Sequence, residues 1–163
     1  MMLKKTTYIF IVFLILEGLI SCNKNKKDAE LALISEYLEE HNITEEPQAD
    51  GLYLIETGFS VSTSSESDFP QAGDTVIVIY KGYLLSNPSV VFDEKTIDEP
   101  AHYVYLSDNV IKGWEEAVGM MKKDASALII IPSDLAYKGN QTGIIPPYST
   151  LIFEARIIDI KKP

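Results

Sequence analysis

Residues 74–85, DTVIVIYKGYLL, form a near-continuous β-branched and apolar run. Such a run reads as a strand covered on both faces, or backed by a helix. Four further segments have strand character: Leu52–Thr57, AHYVYL at 101–106, ASALIII at 125–131 and TLIFEARIIDI at 150–160. In the last, Leu151, Phe153, Ala155 and Ile157 fall on one face. Between them lies a single helical pattern. In VIKGWEEAVGMM, Trp114, Ala117, Val118 and Met121 repeat at helical spacing, while Glu115 and Glu116 suit the positive end of the helix dipole. Gly113 is expected to let the chain turn into this helix. Five strands with one internal helix predict an α+β fold, a twisted antiparallel sheet wrapped around one short helix. A hollow is expected where helix end, strands and loops converge, and Trp114, the only tryptophan, sits there.

The N-terminal region divides into three pieces. Lys4 and Lys5 precede the apolar stretch Tyr8–Leu16, and small or branched residues lead to Cys22. That is the layout of a secretory signal, and Glu17 interrupts a run already shorter than the ~20 residues needed to span a bilayer. LISC resembles a bacterial lipobox, which implies that residues 1–21 are removed and that Cys22 becomes a lipidated first residue. Residues 22–50 then hold a polar tether and an amphipathic helix over 28–43, with Leu31, Ile34, Tyr37 and Leu38 on one face. TEEPQADG reads as a linker, so residues 51–163 form the domain and are expected to fold without the helix. A lipid-anchored location in the cell envelope, facing periplasm or exterior, follows from this reading.

Composition excludes several classes. The formal net charge is −10 and Arg156 is the single arginine, so a nucleic-acid interface has no electrostatic basis. One cysteine permits neither an internal disulfide nor a redox pair. His41 and His102 belong to no metal-ligand spacing. No metal or cofactor is expected.

The blocks AGDTVIVIYKGYLL, VFD, VIKGWEEAVGMM and GIIPPYSTLIFEARIIDI resemble, in order and spacing, the FKBP-type peptidyl-prolyl cis–trans isomerases. The resemblance covers residues 51–160. With lipobox and acidic helix, the layout is similar to Bacteroidetes lipoproteins, including those associated with gliding motility. The resemblance implies X-Pro isomerisation in an aromatic pocket, with proline-containing polypeptides and family macrolides as ligands. It places Tyr80, Phe92, Asp93, Ile111, Trp114, Tyr137 and Phe153 in the catalytic pocket, with Trp114 as its floor and Val110, Ile144 and Ile145 as further binding residues. The alternative is an FKBP fold used as a non-catalytic chaperone or docking module. Four features depart from the family pattern. Ala101 stands at a common pocket phenylalanine, and an arginine is missing after Asp93. Lys138 replaces a usual glycine in the loop 138–143, and the hairpin LLSNPSVVFD is longer.

Overall fold

The computed structural model describes residues 25–58 and 69–163. The signal segment, Cys22 and most of the serine-rich loop GFSVSTSSESDFPQAG lie outside the described residues. Helix α1 spans residues 25–40. The domain proper runs β1 (Tyr53–Glu56), β2 (Thr75–Leu84), β3 (Asn87–Lys95), β4 (Ala101–Val104), α2 (Lys112–Gly119), β5 (Ser126–Ile131) and β6 (Leu151–Lys161). A 3₁₀ turn, Ser133–Leu135, follows β5.

All pairings are antiparallel, in the order β1-β5-β6-β2-β3. Strand β4 pairs with the first half of β2, Val78 opposite Ala101, and β3 with the second half, Tyr80 opposite Lys95. The two therefore share one edge of β2, interrupted at 96–100. Strand β3 is a sixth strand beyond the five expected. Its side chains are mostly exposed and it opens on Asn87, Pro88 and Ser89, which carry turn chemistry. An edge strand tolerates proline and needs no apolar alternation, so periodicity does not reveal it. The β2–β3 hairpin has register shifts at Gly82/Tyr83 and Tyr83/Leu84.

Alternation along β2 and β6 separates two cores. Val76, Val78 and Leu84 join Leu151, Phe153, Ala155 and Ile157 on the inner face, under α2. Helix α2 contributes Trp114, Ala117 and Val118, with Met121 just past its end, as the periodicity predicts. Gly113 lies inside the helix rather than in a turn. Its hydrogen is needed because a Cβ there would collide with the Ile131 side chain and stand 3.1 Å from the Leu135 Cβ.

The outer face is covered by α1. Ile34 and Tyr37 pack with Ile55, Tyr83, Leu85, Ile130 and Ile152, and Leu38 lies half-buried beside them. Leu31 departs from the expected face: it is 54% exposed. The residue before it, Glu30, is turned to the domain, where its carboxylate takes hydrogen bonds from Ser133 and Thr150.

Candidate active site

The inner face closes around a pocket of about 250 Å³ lined by Val78, Tyr80, Ala101, Tyr103, Val110, Ile111, Trp114 and Phe153. Each wall has a local cause. On β2, Val78 and Tyr80 point inward by strand alternation, and Phe153 does the same from β6. The chain entering α2 supplies Val110 and Ile111. Ile111 is the N-cap, with extended backbone, and its carbonyl accepts from Trp114 N–H at 3.1 Å and Glu115 N–H at 3.2 Å. No described residue takes up the Ile111 amide hydrogen, as expected of a helix start.

The aromatic side chains pack edge to face, apart from the tilted Trp114–Phe153 pair at 55°. Trp114 lies 4.9 Å from Phe153 and 5.0 Å from Tyr80, centroid to centroid, and Phe92 meets Phe153 at 5.4 Å and 83°. Trp114 is only 6% exposed, yet it lines the pocket, so it is core filler and floor at once. Gly82 makes this packing possible. A Cβ there would stand 2.7 Å from the Phe92 ring and 2.9 Å from the Phe153 ring. The sequence signal for it is the glycine inside a strand pattern, which marks close approach.

One polar group is fixed at the rim. The Tyr80 hydroxyl donates to Asp93 Oδ2 at 2.6 Å. Burial, then that hydrogen bond and the charge of Asp93, push the phenol's pKa well up, so it stays protonated. Tyr137 is half-buried against the same core and close enough for its hydroxyl to influence Tyr80. Ile145 is buried, held by reciprocal backbone bonds with Thr142 at 2.9 and 3.1 Å. Ile144 is not brought to the pocket; it is 61% exposed. His102 projects from β4 on the side away from Ala101 and Tyr103, into solvent.

The departures from the family pattern acquire physical meaning here. Lys138 adopts φ 55°, the left-handed region where glycine is favoured, at a cost of about 1–2 kcal/mol for an L side chain. At the wall thinned by Ala101, Tyr103 turns in. It is 8% exposed, and its buried hydroxyl has no hydrogen-bond partner among the described residues. Burial and then the charge of Glu115 raise its pKa; the Trp114 indole pulls the other way without reaching hydrogen-bond geometry. An orphaned hydroxyl costs stability, so Tyr103→Phe is expected to raise the unfolding free energy by about 1 kcal/mol. Urea unfolding measures this, and a lower midpoint would mean that the hydroxyl is partnered in solution.

A larger concavity of about 800 Å³ opens on the outer face beside Tyr37 and His41. Lys81, Glu94, Lys95, Glu154 and Arg156 line much of it, so it lacks the apolar enclosure of the inner pocket. Among the described residues, no group of three or more His, Cys, Asp or Glu side chains is placed to hold a metal.

The site is thus an indole-floored apolar pocket with a tyrosine–carboxylate pair at its rim, set where an antiparallel sheet curls over one helix. A sequence-family profile described as FKBP-type peptidyl-prolyl cis-trans isomerase matches residues 66–158. The chain belongs to that family. It is 36% identical over 114 residues to FKBP-type peptidyl-prolyl cis-trans isomerase FkpA of Escherichia coli, covering 68% of this chain and 41% of FkpA. The chain thus spans about two-fifths of that relative. Peptidyl-prolyl cis-trans isomerase FKBP1A of Xenopus laevis is 33% identical over 108 residues, 64% of this chain and 99% of that protein. Among solved structures, a peptidyl-prolyl cis-trans isomerase from Pseudomonas syringae superposes with a TM-score of 0.67 at 26% identity, over 85% of this chain and 96% of the other. The crystal structure of Escherichia coli FkpA gives 0.64 at 29% identity, over 97% and 71%.

Proposed function

We propose that the chain catalyses cis–trans isomerisation of X-Pro bonds in exported polypeptides. The observation that carries this reading is the apolar, aromatic-lined pocket over Trp114, with its rim polar pair Tyr80–Asp93. Rotation about an amide faces a barrier of ~18–20 kcal/mol, and no bond to an atom is made or broken. Catalysis therefore requires a site that binds the twisted amide better than either planar isomer. Twisting removes resonance and with it the charge separation that water stabilises, so a dry apolar wall favours the transition state. Tyr80, Val110, Ile111, Trp114 and Phe153 provide that wall, with Phe92 packed behind Phe153 and Ile145 in the core around it. The Ile111 N–H and the Tyr137 hydroxyl hold the rotated carbonyl, while Asp93 fixes Tyr80. Family macrolides are proposed as ligands competing for the same floor.

A proline-peptide isomerisation assay tests this directly, and absence of turnover would leave a chaperone or docking role. No proton moves in this mechanism. The rate is therefore expected to be flat from about pH 6 to 8, because Tyr80, with its raised pKa, stays protonated throughout. His102→Ala should leave it unchanged. An inflection inside that window would reject the no-proton mechanism.

The setting is also part of the proposal. The lysine-led apolar segment and the lipobox-like LISC support a secreted lipoprotein anchored through Cys22 in the cell envelope, of the Bacteroidetes kind that includes gliding-associated isomerases. Cys22→Ser should abolish incorporation of a fatty-acid probe and release the protein from the detergent phase. Label retained on the serine variant would refute the anchor.

A further inference from the structure

The segment between β5 and β6 carries Tyr137 and Ile145, and both of its ends are fastened to one side chain that belongs to neither strand. Glu30 Oε1 accepts from the Ser133 backbone N–H at 2.6 Å and from the Thr150 hydroxyl at 2.6 Å. Its Oε2 accepts from the Ser133 hydroxyl at 2.9 Å. Ser133 and Thr150 are both buried. They stand immediately before and after residues 134–149.

The fastening continues into the segment. The Ser133 carbonyl accepts from the Lys138 N–H at 2.9 Å, and the Lys138 carbonyl accepts from Tyr148 N–H at 2.6 Å. The same helix face adds two exposed contacts. Lys27 pairs with Asp134 at 2.9 Å, and the Lys26 ammonium lies 4.2 Å from the Tyr148 ring centroid. Residues 26, 27, 30, 34 and 37 thus form one stripe of α1, polar where it meets this segment and apolar where it meets the sheet.

We propose that Glu30 is a positioning residue of the isomerase site, a carboxylate from outside the sheet domain that sets where Tyr137 and Ile145 stand. The proposal rests on the pocket reading above. Three donors converge on one carboxylate, so an ionised acceptor suits the place and an amide does not: a glutamine would aim its own N–H groups at donors. Lys138, in its left-handed conformation between the two anchored ends, gives the segment a strained centre that the clamp must hold.

The test is a double-mutant cycle in the full chain. Glu30→Gln, Tyr137→Phe and the pair are assayed on a proline peptide, with Trp114 fluorescence confirming that each is folded. Glu30→Gln is expected to lower kcat/KM on the order of fivefold, because a site group displaced even slightly loses its transition-state contact. If Glu30 acts through Tyr137, adding Tyr137→Phe to Glu30→Gln should cost almost nothing more. Strictly additive losses, or wild-type kcat/KM in Glu30→Gln, overturn the proposal even if its melting temperature falls. Thr150→Val removes one of the three bonds with less disturbance; should Glu30→Gln fail to fold, the same cycle run with Thr150→Val decides. A wild-type chain with no turnover removes the pocket reading and the clamp together, whereas turnover that ignores Glu30 removes the clamp alone.

Discussion

Phe153→Ala is expected to abolish measurable isomerase turnover and to lower stability by about 3–5 kcal/mol. This ring is the hub of the site. It meets Tyr80 at 5.8 Å, Phe92 at 5.4 Å and Trp114 at 4.9 Å, and its own burial is nearly complete. Removing it opens a cavity under the pocket and frees the indole to tilt, so the dry floor and the stability are lost together. Assays below the melting temperature separate the two. Phe92→Ala provides the milder comparison, because Phe92 is half-buried on the edge strand β3 and touches the floor only through Phe153. Its loss should still exceed that of Tyr137→Phe. The reverse order would mean that hydrogen bonding, rather than exclusion of water, carries the rate.

The second large effect lies on the other face. A chain beginning at Gly51 should retain the sheet and α2 but melt at least about 10 °C lower than one that includes α1. Large apolar side chains contribute roughly 1.5–3 kcal/mol each when buried, and truncation removes both Ile34 and Tyr37 from the sheet. It also uncovers Tyr83, Leu85, Ile130 and Ile152, a contiguous apolar patch that invites self-association. Differential scanning calorimetry and sedimentation of the two chains measure this. Equal melting temperatures and monomeric behaviour for both would show that α1 is undocked in solution.

Much of this architecture was legible because it depends on burial. Strands β2, β5 and β6 carry enough β-branched, apolar residues to announce themselves, and α2 has a single unambiguous helical face. Trp114 at the mouth of that helix pointed to the pocket, and of the residues the family resemblance named, Tyr80, Val110, Ile111, Trp114 and Phe153 line it, whereas Phe92, Asp93, Tyr137, Ile144 and Ile145 do not. What was hidden depends on three-dimensional proximity. Strand β3 is exposed and begins on turn residues. Gly113 reads in sequence as a turn residue, although its role is to admit Ile131. Ile144 and Ile145 are identical in composition and adjacent, and only the turn closed by Thr142 decides which one is buried. Glu30 was one acidic residue among several on a polar helix surface. Its partners lie at 133 and 150, far beyond the reach of any periodicity.

The sheet order carries a consequence for how the chain acquires its shape. The central strand, β6, is the last in sequence, and β2 pairs with it along its whole length, from Thr75 opposite Lys161 to Leu84 opposite Leu151. A polypeptide emerging from a ribosome or a translocation pore, amino end first, therefore presents β2 with β3 and β4 available for one edge long before β6 exists for the other. Completing the centre of the sheet must wait for closure of the long β2–β6 connection, so folding should be slow beside that of helical domains of similar size. During that interval the open edge and uncovered apolar faces of β2 are the hazard, and chains released without β6 should be degraded or aggregate rather than persist as partly structured domains.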